Sequence, residues 1–308
     1  MHRTITITIV PERTAALVRQ LEGMDEVIGL AVHREAALKP PGDVLVVHVL
    51  NRGVDDVLRH ANDEEGGHPA MIVTNEVASI IDAANVRAIE DDVDEAAWEE
   101  MLTALRHQGQ LSGNFLALMA LGGVITAVGF ISGPVAQATA FVAASVIAPG
   151  FEPIAKVALG LTLRRADVAR EGALATLAGY AALIAAACAT FLLLRLIEYD
   201  APDHFIGNEE AQHLAAPDFA AAIISAAAAA AGIMMIATYR RSVFAGPLIG
   251  LALIPAMAMT GVALAAGRLD LVAAGLLRFG LDLVLIVGFG WLIFALKQRF
   301  EHSRAPSV

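Results

Sequence analysis

The chain has 308 residues, 57% of them hydrophobic, and a mean hydropathy of +0.63, which excludes an ordinary soluble enzyme of this length. Its net charge of −11 is unevenly spread, because residues 1–113 hold 9 Lys/Arg against 20 Asp/Glu while the remainder holds 12 of each. That acidic segment is a poor partner for nucleic acid, and the lone Cys188 excludes an intrachain disulfide.

Residues 4–10 alternate Thr with Ile and predict a half-buried strand. Pro11 opens a helix to Leu21, Val27–Val32 read as a second strand, and Lys39-Pro40-Pro41-Gly42-Asp43 as a turn. Val44–Leu50 follow as a strand, Val54–Ala61 as a helix and Ala70–Thr74 as a fourth strand. The order βαββαβ predicts a ferredoxin-like α+β domain over residues 1–78. With a strand at the start and no apolar run before residue 113, no cleavable signal is expected.

Residues 79–113 read as an acidic helical connector. The helical pattern runs from Ser79 to Gln108, with Asp91 or Asp92 capping a last segment that holds Trp98, Met101, Leu102 and Leu105. Anionic lipid would repel Glu90, Asp91, Asp92, Asp94, Glu95, Glu99 and Glu100, so this connector is expected on protein, a second copy of the chain included.

Six apolar runs follow, at 115–131, 135–163, 172–196, 219–238, 243–266 and 271–296. Their punctuation recurs after about 104 residues: Asn114-Phe115 with Asp218-Phe219, Ile147-Ala148-Pro149 with Leu253-Ile254-Pro255, and Asp167 and Gly172 with Asp270 and Gly275. The predicted fold is therefore a polytopic α-helical membrane protein of six spans. An odd number of spans per copy makes the two three-helix repeats inverted, 114–197 and 218–297, joined by a loop over 198–217 and ending in a tail over 298–308. The second run, at roughly 29 residues and 1.5 Å each, overshoots a hydrocarbon core of about 30 Å. A break is expected at Pro149-Gly150 and Pro153, with Pro255 at the matching place in the second repeat.

Arg164, Arg165 and Arg170, Arg240 and Arg241, and Lys297, Arg299 and Arg304 fall on one side if both termini are cytoplasmic. The segment from Glu198 to Asp218 has no Lys or Arg. The expected placement is a cytoplasmic membrane with the N-terminal domain and the tail inside.

Taken together, Arg87-Ala88-Ile89-Glu90-Asp91-Asp92-Val93-Asp94-Glu95, Trp98-Glu99-Glu100, Leu111-Ser112-Gly113-Asn114 and Ile147-Ala148-Pro149-Gly150-Phe151-Glu152-Pro153-Ile154 resemble the bacterial and archaeal membrane family called domain of unknown function 389, the uncharacterised hydrophobic domain. The opening strand with Pro11-Glu12 and the Lys39–Asp43 turn are similar to its N-terminal extension. The resemblance implies a shared membrane fold, in a bacterial or archaeal inner membrane, and no established activity. Here the acid stands at Glu152, just before Pro153, and Asp282 stands where relatives often have Asn.

Charge within the apolar runs is costly, roughly 2.5–3.5 kcal/mol per residue on insertion scales, so each instance needs a reason. Glu152 and Lys156, and Arg278 and Asp282, are spaced i,i+4 and sum to zero. One reading is an ion- or solute-binding site at the repeat interface, with freed main-chain carbonyls as further ligands and a lysine or arginine as counter-charge. The other is two local ion pairs that fix helix register. The first makes the chain a secondary transporter of an ion or small solute. The second makes it a scaffold or sensor whose cytoplasmic domain binds a ligand or partner. No catalytic residues, cofactor or metal are expected: Asp203, His204, Glu209, Glu210 and His213 read as a solvated acidic loop, and His33, His48, His60 and His68 lack zinc spacing. Small residues at Gly122-Gly123 and Ala226–Gly232 are expected to pack helices within the chain.

Overall fold

The structure, a computed structural model, describes residues 2–62, 70–197, 201–238 and 251–300, the side chains of 201–203 excepted. The described residues fall into two compact units, the first of residues 2–100 with 298–300 and the second of residues 101–297.

In the first unit, β1 (His2–Ile9), α1 (Pro11–Glu22), β2 (Val27–Leu38), β3 (Pro41–Val49), α2 (Val54–Ala61) and β4 (Met71–Val77) form an antiparallel sheet of order β2-β3-β1-β4 with two helices. The alternation in β1 puts Ile5, Ile7 and Ile9 into a core with Leu45, Val47 and Val49 of β3 and Leu17, Leu21, Val57 and Leu58 of the helices. β2 is longer than its apolar stretch suggests, because pairing with β3 resumes after an irregularity between His33 and Ala37. Glu35 bulges there at φ 52°, and its N–H donates to Asp43 Oδ1 at 2.7 Å. Asp43 Oδ2 also accepts from Thr14 Oγ1 and Arg34 Nη1, each at 2.7 Å.

The helical pattern expected over 79–108 is interrupted. Only α3 (Val86–Glu90) and α4 (Trp98–Gln108) form, with residues 92–97 between them non-helical. Asp92 does not cap α4. Its carboxylate instead accepts from the Asn51 N–H at 2.7 Å and pairs with His2 at 3.0 Å. Glu100 forms a two-pronged pair with Arg3, at 2.8 and 3.1 Å, buried on both sides.

The second unit is helical. It contains α5 (Gly113–Phe130), α6 (Pro134–Ile147), α7 (Phe151–Thr162), α8 (Ala166–Leu196), α9 (Ala201–Ile206), α10 (Glu209–Ala215), α11 (Phe219–Ala237), α12 (Leu253–Ala266) and α13 (Leu269–Phe300). Among the described residues α5, α8, α11 and α13 are each long and apolar enough to cross a membrane. The α6–α7 pair, bent by 44°, brings the number to five if it counts as one span. α12 has 14 residues, and its expected partner stretch, 243–250, lies outside the described residues. Leu177, Leu277 and Val284 are 70%, 76% and 65% exposed on these helices, a surface that water does not tolerate and lipid does. Several such helices make this a membrane protein.

α8 is the hub, packed on α5, α7 and α12. Close approach needs glycine: a Cβ on Gly123 of α5 or Gly261 of α12 would stand 2.3 or 2.4 Å from a carbonyl oxygen of α8. Local geometry recurs at a spacing of 103 residues. Arg165 forks onto Asp167 as Arg268 does onto Asp270, and Arg164 at φ 54° matches Gly267 at φ 73°. Gly172 faces the Pro153 carbonyl as Gly275 faces that of Ala256. Of the residues read for orientation, Glu198, Asp200, Arg240, Arg241 and Arg304 lie outside the described residues, as does His68.

Candidate functional site

α6 ends at Ile147 and α7 begins at Phe151, with Pro149 and Gly150 in the break. Pro153 and Pro255 are the third residues of α7 and α12, in first turns where a missing N–H deprives the helix of nothing. A Cβ on Gly150 would lie 2.4 Å from Tyr180 Oη on α8 and 3.1 Å from Ile254 Cδ1 on α12. The amino ends of α7 and α12 therefore meet beside Tyr180.

All four charges singled out within the apolar runs are buried: Glu152 and Arg278 are 6% exposed, Lys156 3% and Asp282 0%. Their partners differ between the pairs. Arg278 Nη2 stands 3.5 Å from Asp282 Oδ1, the local pair the spacing predicts, and also donates to Ser225 Oγ at 2.6 Å. Asp282 Oδ2 accepts the Ala252 N–H at 2.9 Å, which fastens α13 to the first turn of α12. Lys156, however, does not bridge to Glu152. Its Nζ reaches Glu171 Oε2 of α8 at 2.6 Å, since a side chain on the facing helix offers a carboxylate whose other edge stays in solvent.

Among the described residues Glu152 is thereby left without a cation in an ion pair. Its Oε2, Tyr180 Oη, Arg278 Nε and Asp282 Oδ1 are all buried atoms without a hydrogen-bond partner among the described residues. Tyr180 lies close enough to Glu152 and Asp282 for both carboxylates to act on it electrostatically. Asp282 Oδ1 still has the ion pair with Arg278, whereas the other three atoms have no such partner, and a buried polar atom left unanswered costs free energy.

A cavity of about 240 Å³ reaches this region. Arg278, Ala252 and Pro255 line it at one end, Glu210 and His213 of α10 at the other. α9 and α10 are folded onto the bundle and not a simple solvated loop: Phe205 is fully buried against Phe130 and Phe191. Asn208 caps α10 and exchanges bonds with Gln137. The Asp203 side chain lies outside the described ones, and no three His, Cys, Asp or Glu residues gather for a metal among the described residues. Gly122 faces Ala148, and Gly232 faces Phe151, both within the chain.

Sequence reasoning did not find Tyr180, Ser225 and Glu171. A lone tyrosine or serine inside an apolar run is a faint signal, and Glu171 lies at the polar start of its helix.

Residues 145–288 match the family model described as Domain of unknown function (DUF389), in agreement with the resemblance drawn from the sequence. No curated protein and no solved structure matches the chain.

Proposed function

We propose that the second unit is a secondary transporter of an ion or small solute, with Glu152, Lys156, Arg278 and Asp282 at or beside its binding site. The observation that carries this reading is the group of buried, unpartnered polar atoms, Glu152 Oε2, Tyr180 Oη and Arg278 Nε, near the starts of α7 and α12. Broken helices that aim their amino ends at a common point suit alternating access. The fold reading goes with it: six spans as two inverted three-helix repeats, the run at 243–266 counted as the fifth, together with a cytoplasmic ferredoxin-like domain. Support comes from the 103-residue recurrence of the Arg-Asp forks and positive-φ turns, and from the β2-β3-β1-β4 sheet order. Both termini face the cytoplasm of a bacterial or archaeal cell, the first unit regulates flux or assembles copies of the chain, and neither unit is an enzyme.

The Lys156–Glu171 and Arg278–Asp282 pairs favour a second reading, a scaffold or sensor whose membrane charges only hold helices in place. Asp282→Asn separates the two. As a scaffold, the variant strands Arg278 and loses about 3–5 kcal/mol of stability. As a transporter, it folds with near-native thermal stability in detergent and loses solute-driven flux in proteoliposomes.

A further inference from the structure

We propose that the 240 Å³ cavity binds the carboxylate group of a small organic solute, clamped at its floor by Arg278 and the amino end of α12. The assignment rests on the transport reading only in treating that solute as cargo. Arg278 is 6% exposed and lines the cavity. One corner of its guanidinium is engaged, with Nη2 donating to Ser225 and standing 3.5 Å from Asp282. Its Nε is buried without a partner. A planar guanidinium presents paired donors that match the two oxygens of a carboxylate.

The other floor residues, Ala252 and Pro255, belong to the first turn and cap of α12. A 14-residue helix places partial positive charge there, and Asp282 already answers the Ala252 N–H from outside the lining. Asp282 balances the charge of Arg278 and answers the Ala252 N–H, so a carboxylate here would be held by hydrogen bonds from the guanidinium and not by a surplus of positive charge. Phe141, Val142, Leu214, Ala221 and Leu251 line the rest, with Ser145 the one polar side chain among them. Largely apolar walls suit a hydrocarbon or short side chain better than the many oxygens of phosphate or sulfate. At the far end Glu210 and His213 are exposed. The carboxylate belongs to a plain organic acid or to an amino acid whose ammonium turns toward Glu210, and the charge at that end tells them apart.

The test is calorimetric titration of the full chain in nanodiscs with propionate, pyruvate, alanine and leucine, alongside flux in proteoliposomes. Saturable binding is expected for at least one carboxylate, weakened about tenfold or more by Arg278→Gln and less by Arg278→Lys. Val142→Trp, at a wall residue 41% exposed and so able to take a larger side chain without unfolding, is expected to abolish binding. A preference for alanine over propionate that Glu210→Gln removes identifies an amino acid, and equal affinities identify the plain acid. Absence of saturable binding across the panel, or binding untouched by Val142→Trp, overturns the proposal. Ion-driven flux without carboxylate binding overturns it while leaving the transport reading in place; carboxylate binding without any flux does the reverse.

Discussion

Glu152 is the residue on which the account turns, because it is a buried carboxylate whose same-helix lysine is taken by another acid. Spacing alone makes Glu152 and Lys156 a pair, and only the packing of α7 on α8 reveals that Glu171 is the nearer partner. Asp43 illustrates the opposite case, a carboxylate with every reason to stay ionised. The Glu35 N–H, the Thr14 hydroxyl and the Arg34 guanidinium hold its carboxyl below the usual value of 3.8. A carboxyl depressed in the folded state stabilises it fully above that usual value and stops doing so as pH falls through the folded value. Asp43→Asn is therefore expected to lower hydrogen-exchange protection of β1 and β3 in the full chain at neutral pH. The gap from wild type should close as pH drops below about 3.8; a gap independent of pH would remove the carboxylate from the explanation.

At the scale of elements, the break between α6 and α7 was legible because a run of roughly 29 apolar residues cannot lie straight in a core of about 30 Å. Pro149 and Gly150 mark where it bends. The fold of α9 and α10 was not legible, since their polar residues read as solvated while the anchoring comes from Phe205 and Asn208. The turns before α8 and α13 offer an internal control. Arg164 and Gly267 hold the same left-handed conformation 103 residues apart, one with a side chain and one without. Gly267→Val is expected to cost about 1–2 kcal/mol in thermal unfolding, and Arg164→Gly to be neutral or mildly stabilising. Equal destabilisation by both would show that φ is not what these positions demand.

For the whole molecule, strand alternation and apolar run length carried most of the architecture: the βαββαβ order of the first unit and the long helices of the second follow from period and length. The proposed binding region was half legible. Its charges stand out in an apolar sequence, whereas Tyr180, Ser225 and the Ala252 N–H join it only through tertiary packing. The proposed topology sets Glu12 and Glu210 on opposite sides of the membrane. In a Cys188→Ser background, E12C and E210C are expected to react with an impermeant thiol reagent from opposite faces of sealed vesicles. Labelling from the same face would break the inverted-repeat arrangement.

The most direct test of a transport site at the helix breaks is current across a supported proteoliposome membrane under proton and sodium gradients with small solutes, for wild type and Glu152→Gln together. The account predicts a solute-dependent current in wild type that disappears in a variant of unchanged thermal stability. A current that survives in Glu152→Gln, or a wild type silent under both gradients, would contradict it.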